Sequence, residues 1–163
     1  MSETVQAQGN LFRLEDFLPY RLSVAANRVS RAFATRYAQE FGLTIPEWRV
    51  LAVVGDSAPI SAGEIVTKTA MDKAKVSRAV AGLLDRDLLR RAVNPLDQRR
   101  HMLAHSRKGR QIYETIVPRA LALEAEVTQE LSAGERSLLA SLLQRLIRRA
   151  ALLDGDGGGP DPE

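Results

Sequence analysis

The chain has 163 residues, 45% hydrophobic and 26% charged, a balance that fits one domain, with or without an appended oligomerisation region, and excludes wholesale disorder. It contains no cysteine, which excludes disulfides, thiolate metal sites and thiol redox sensing. No apolar run approaches the roughly 20 residues that span a bilayer, and the opening MSETVQAQGN lacks the basic and apolar blocks of a signal peptide, so a cytoplasmic protein without a membrane partner is expected.

Between Phe17 and Phe41 apolar residues recur at Leu22, Ala26, Val29, Phe33 and Tyr37, a spacing that predicts a long amphipathic helix with Pro19 tolerated near its start. In LTIPEWRVL, Thr44 and Glu47 have the spacing of a capping box, and Leu43 and Trp48 that of its hydrophobic staple. A second helix is therefore expected from Ile45 to about Gly55. The same grammar recurs in ISAGEI, where Ser61 and Glu64 open a short third helix ending near Thr69. Asp72 is placed to cap a fourth, KAKVSRAVAGLLDR, with Val76, Val80, Leu83 and Leu84 as its buried stripe. Two short helices joined in this way make a helix-turn-helix.

After Asp87 the pattern changes to two short strand-like stretches, LLRRAV and RHMLAH, either side of the turn formers in NPLDQ. This predicts a hairpin, and with the helices before it a winged helix. Ser106 is expected to cap a long helix through about Leu131, carrying Ile112, Ile116, Val127 and Leu131 and kinked at Pro118. Ser132 and Glu135 open a last helix whose apolar face is Leu138, Leu139, Leu142, Leu143, Leu146 and Ile147. The tail from Asp154 has nothing to bury and is expected to be disordered. The predicted fold class is mainly α with a small β wing: a winged helix-turn-helix over 44–106, flanked by dimerisation helices over 11–43 and 107–153. The flanking helices carry more apolar surface than the winged helix can cover, so a second copy is expected to pack on Leu11 to Tyr37 and Ile112 to Leu153.

Net charge is only +3, but Met71 to Arg110 holds eleven basic residues against four acidic ones, an excess of +7 that leaves −4 elsewhere. Such a segment suits a polyanion, although charge alone fits a solvated surface equally well. On the fourth helix, Ala74, Ser77, Arg78 and Ala81 lie opposite the apolar stripe, with Lys73 and Lys75 at the flanks. Arg78 can fork onto guanine, Ser77 can serve a base or a phosphate, and Ala74 leaves room for a thymine methyl. The lysines suit phosphate anchoring. At the hairpin, Arg99 or Arg100 can enter an adjacent minor groove, and Asp97 can orient Arg99 by an ion pair.

The stretch DKAKVSRAVAGLLDRDLLRRAVNPLDQRRHMLAHSRKGR, preceded by LTIPEWRVL, resembles the MarR-type transcriptional regulators, with Asp97 and Arg99 matching the D-x-R motif of their wing. The resemblance runs from the first helix to the last. It implies a homodimer in a bacterial or archaeal cytosol that binds palindromic double-stranded operator DNA, usually as a repressor released by a small aromatic or anionic molecule. The chain departs from the family pattern in having Asp87 where glycine is usual, Ala81 where an acid is common and Ser106 where threonine often caps. Family effectors bind where the first two helices meet the dimerisation region, which implies Tyr20, Arg21 and Trp48 here, a set that suits an aromatic acid or its CoA thioester. Trp48 serves equally well as a staple residue, and Arg21 as a solvated cation.

Catalysis finds no footing: no glycine-rich phosphate loop is present, and His101 and His105 would stand about 13 Å apart on one strand face, too far to share a metal. No enzyme, cofactor or metal is expected. The competing reading is a helical interaction module whose basic hairpin binds RNA or acidic protein.

Overall fold

The computed structural model describes residues 12–93 and 101–156. After a short 3-10 turn at Leu14–Asp16, the elements run α1 (Leu18–Phe41), α2 (Ile45–Ser57), β1 (Ile60–Ser61), α3 (Ala62–Thr69), α4 (Lys73–Asp85), β2 (Leu89–Val93), β3 (His101–His105), α5 (Arg107–Val127) and α6 (Ala133–Asp156). The chain divides into two compact units, Met1–Ala120 and Leu121–Glu163.

Local chemistry sets most boundaries. Pro19 occupies the first turn of α1, and Gly42 ends that helix at φ 60°. Thr44 accepts the Glu47 amide while Glu47 accepts the Thr44 amide at 2.8 Å, closing the capping box of α2. Ser61 and Glu64 repeat it on α3, and Ser132 and Glu135 on α6. Asp72 caps α4 by accepting the Lys75 amide at 2.7 Å. Beyond α4, Asp87 takes the left-handed conformation at φ 57°, the geometry that favours glycine at this bend.

Four expectations need correction. α2 does not stop at Gly55 but continues to Ser57. Glycine serves packing there, because a Cβ would stand 2.4 Å from Cζ of Tyr113. α5 ends at Val127 rather than near Leu131, since the capping box at Ser132 needs a free turn ahead of it, and Leu131 closes that turn onto Thr128. α6 continues to Asp156, beyond the expected start of the tail at Asp154. The strand β1, too short to show alternation, was not foreseen; it pairs antiparallel with β3 through Ile60 and Leu103, giving the sheet order β1-β3-β2. α5 also keeps its helical assignment through Pro118, which removes one amide from its ladder.

The core lies within the first unit. Val50, Leu51 and Val54 of α2, Ile65 of α3, Val76 and Leu83 of α4, Leu89 and Leu103 of the sheet and Ile116 of α5 are all buried, joined by Tyr37 of α1. Each such aliphatic side chain contributes about 1.5–3 kcal/mol by leaving water. This core holds α4 with one face inward and the other in solvent. In the second unit, the predicted face of α6 is uncovered in the single chain, with Leu138 59% and Ile147 61% exposed. Among the described residues no helix is long and apolar enough to cross a membrane.

Candidate nucleic-acid interface

The two faces of α4 differ completely. Val76, Ala79 and Leu83 are buried, while Lys73, Ala74, Lys75, Ser77, Arg78 and Ala81 are exposed. Thus every α4 residue assigned to DNA from the sequence stands on the outer face. Arg78 meets no salt-bridge partner among the described residues, although its charge contributes a little to lowering the Asp72 carboxyl. Its planar fork of donors is therefore available to an external acceptor. Lys75 is committed locally, with Nζ 3.0 Å from a carboxylate oxygen of Asp72, the cap of its own helix. The Lys75 amide, and after it the Lys75 side chain, hold the Asp72 carboxyl below the usual carboxylate range. Lys73 and Ser77 line a hollow of about 440 Å³ between α3 and α4, floored by Val66, Val76 and Val80.

The strands β2 and β3 form the predicted hairpin, in the register Leu89 to His105, Arg91 to Leu103 and Val93 to His101. The turn residues Asp97, Arg99 and Arg100 lie outside the described residues. On β2, Arg90 and Arg91 are exposed, and the Arg90 Nε donates to the His105 carbonyl at 3.2 Å.

Counting charges along the chain overestimates the basic face. Arg86 turns inward: its Nη1 donates to the Gly42 carbonyl at 2.7 Å and its Nη2 lies 3.9 Å from Glu47. Lys108 donates in turn to the Arg86 carbonyl at 3.0 Å. These two cations fasten the turn after α4 to α2 and α5. Nothing in the local sequence distinguishes them from Arg78, because their partners are remote in the chain. The two histidines also separate. His101 is exposed, whereas His105 is buried with its Nε2–H donating to the Leu51 carbonyl at 2.9 Å. Burial holds the His105 imidazole below its ordinary pKa, outweighing the Leu51 bond.

An aromatic column crosses the first unit. Tyr37 lies 5.1 Å from Trp48, Trp48 stacks at 6.3 Å on Tyr113, and Tyr113 lies 5.0 Å from His105. Trp48 therefore does serve the core. Arg21 is exposed, 2.8 Å from Asp16, and Tyr20 beside it is exposed. The 17 helical steps of α1 from Tyr20 to Tyr37 measure about 25 Å, so one chain does not bring Tyr20 and Arg21 to Trp48.

Residues 41–100 match the family model described as the MarR family. The transcriptional regulator MgrA of Staphylococcus aureus is 29% identical over 86 residues, 53% of this chain and 58% of its own length, so the match spans little more than half of that relative. A probable transcriptional regulator from Pseudomonas aeruginosa is 31% identical, with a TM-score of 0.71 over 82% of this chain and 99% of its own. Bordetella bronchiseptica BpsR, whose DNA binding is regulated by 6-hydroxynicotinic acid, is 25% identical with a TM-score of 0.75 over 83% and 96% of the two chains.

Proposed function

The chain belongs to the MarR family, and on that premise we propose that it is a dimeric, sequence-specific DNA-binding regulator of transcription. The observation that carries this reading is the outer face of α4, where Arg78 is free of ion pairs among the described residues and is flanked by Lys73 and Ser77 on a helix fixed by its buried opposite side. A helix so held enters a major groove with its early residues against base edges. Arg78 reads guanine, Ser77 and Ala74 shape the neighbouring positions, Lys73 holds a phosphate, and Lys75 does so by leaving its exposed pair with Asp72. From the sequence pattern alone, Arg99, which Asp97 can orient by an ion pair, or Arg100 is assigned to the minor groove.

A palindromic operator calls for two copies. Supporting this, the exposed apolar residues include Phe12, Phe17 and Leu18 near the start of the chain and Leu139, Leu142 and Leu146 on α6. Such surface on a free monomer is the usual mark of an interface.

The regulator acts in the cytosol as a repressor released by a small aromatic or anionic molecule, an aromatic acid or its CoA thioester. The control of BpsR by 6-hydroxynicotinic acid supports ligand response in a protein of this fold. Because α1 separates Tyr20 and Arg21 from Trp48, a site using all three is completed between two copies.

Gel-shift titration of the DNA upstream of its own gene, against excess unrelated duplex, tests the regulator directly. Retention that survives the competitor is expected. Loss of all retention to the competitor, or equal retention of RNA, favours a general polyanion-binding module instead.

A further inference from the structure

Arg86 is the C-terminal cap of α4, and from there it reaches three other helices near their ends. Its Nη1 donates to the carbonyl of Gly42, the left-handed residue that closes α1, at 2.7 Å. Its Nη2 lies 3.9 Å from Oε1 of Glu47. Glu47 divides its carboxylate, since Oε2 closes the capping box of α2 while Oε1 faces Arg86. Gly82 of α4 makes room for that oxygen, because a Cβ there would stand 3.0 Å from it. The Arg86 carbonyl accepts from Nζ of Lys108 on α5 at 3.0 Å, which puts a cation where the dipole of α4 favours one. α5 also holds the end of α1 through Arg119, which pairs with Glu40 and stands 5.3 Å over the Phe41 ring.

These contacts differ in kind from the core beside them. Burial of Val50, Leu51 and Val54 with Val76 and Leu83 holds α2 and α4 together, but the hydrophobic effect has no direction of its own. Hydrogen bonds at helix ends do, and they fix an angle. The joint is not optimised for stability either, since Nε and Nη2 of Arg86 are buried with no hydrogen-bond acceptor among the described residues. Arg78 lies eight residues before Arg86 on the same helix. That is about 12 Å along the axis, so a tilt of roughly 10° at the joint would carry Arg78 about 2 Å sideways, more than a hydrogen bond tolerates.

We infer that Arg86 is a positioning residue for DNA recognition: with Gly42 and Glu47 it fixes the angle of α4 against α1, and through that angle the half-site spacing that two copies accept. It acts through α4 rather than on DNA. The spacing half of the inference rests on the reading of a dimer on a palindrome, with α1 among the helices that meet the second copy.

The test has two arms. The chain has no cysteine, so Gln39→Cys on α1 and Ala74→Cys on α4, both exposed positions, give a unique pair of nitroxide labels, diluted with unlabelled chain and measured without DNA. One narrow distance distribution is expected with Arg86 present and a broadened or shifted one in Arg86→Gln. Glu47→Gln should broaden it as well, because glutamine still serves a capping box but withdraws the charge from Arg86; it carries the test if Arg86→Gln fails to fold. The second arm compares the duplex retained in the gel shift with one whose half-sites are moved apart by two base pairs, a turn of about 70°. The unsubstituted protein should prefer its own spacing by about tenfold or more, and both variants by about threefold or less, with binding to a single half-site kept within about twofold. A lowered urea midpoint with unchanged label distances and unchanged spacing preference would overturn the proposal and leave Arg86 a merely stabilising residue. If no duplex is selectively retained, the regulator reading fails, while the label distances still decide whether Arg86 sets the angle of α4.

Discussion

Arg78 and Lys73 share one helix face, yet their chemistry predicts different losses. A guanidinium forked onto a guanine reads sequence, so Arg78→Ala should cost about 1–3 kcal/mol on the preferred site and relax preference at one base position. In the proposed complex Lys73 acts as a point charge beside a phosphate. Lys73→Ala should weaken binding to all sequences alike and lower the slope of log K against log salt by about one. Fluorescence anisotropy across a panel of single-base variants at several salt concentrations checks both. An unchanged base preference in Arg78→Ala would remove it from base reading.

His105 makes a prediction about stability. Its imidazole is held below the ordinary value of 6.5 by burial, with Arg110 adding to the depression and the Leu51 carbonyl and Glu114 opposing it. The unfolded chain therefore takes up a proton near pH 6.5, while the folded chain resists until lower pH. Between those values the unfolded state binds more protons, so stability rises with pH across that window. The contribution is complete above about pH 6.5 and is lost as pH falls through the folded value. Urea unfolding from pH 8 down to 5 should show this decline, and His105→Gln should flatten it. An identical decline in the variant would assign it to other groups.

At the scale of elements, the joint between α4, the wing and α5 is the most demanding piece of packing. Ser106 accepts the Gly109 amide at 2.9 Å and donates to the Asp87 carbonyl at 2.6 Å, tying the start of α5 to the bend after α4. A Cβ at Gly109 would stand 1.8 Å from the Leu88 carbonyl oxygen, a backbone atom that cannot swing aside. Gly109→Ala should therefore destabilise the protein by about 3 kcal/mol or more, measured by urea titration, despite the better helix propensity of alanine. A neutral result would mean that α5 shifts freely against the wing.

The same joint shows where sequence reading stops. Three capping boxes were legible because each is closed by residues three apart, as at Thr44 and Glu47. The outer face of α4 was legible because periodicity is local as well. Burial of His105 and the inward turn of Arg86 were not, since their partners Leu51 and Gly42 lie 54 and 44 residues away. Gly55 misled for a related reason: glycine is a local stop signal, but here it makes room for a ring from α5. Of the proposed DNA site, the outward placement of the α4 residues was thus legible in the sequence, whereas the separation of Tyr20 and Arg21 from Trp48 within one chain follows from the length of α1.

For the whole molecule, the proposed reading of a palindromic operator requires two copies. Leu139, Leu142, Leu143 and Leu146 recur at helical spacing on α6, and each is 37–45% exposed. Packed against a partner they stabilise association; left in water they do not. Leu143→Glu should shift the particle from twice 17.9 kDa to a single chain by light scattering and sharply reduce operator affinity. Unchanged mass in the variant would move the interface elsewhere.

The most direct test of paired α4 helices on DNA is a hydroxyl-radical and base-protection footprint of the wild-type complex. Two symmetric zones of major-groove protection are expected, centred about one helical turn, roughly 34–36 Å, apart or a multiple of it, and both lost in Leu143→Glu. One continuous zone without two-fold symmetry, or the same pattern from the single-chain variant, would contradict the account.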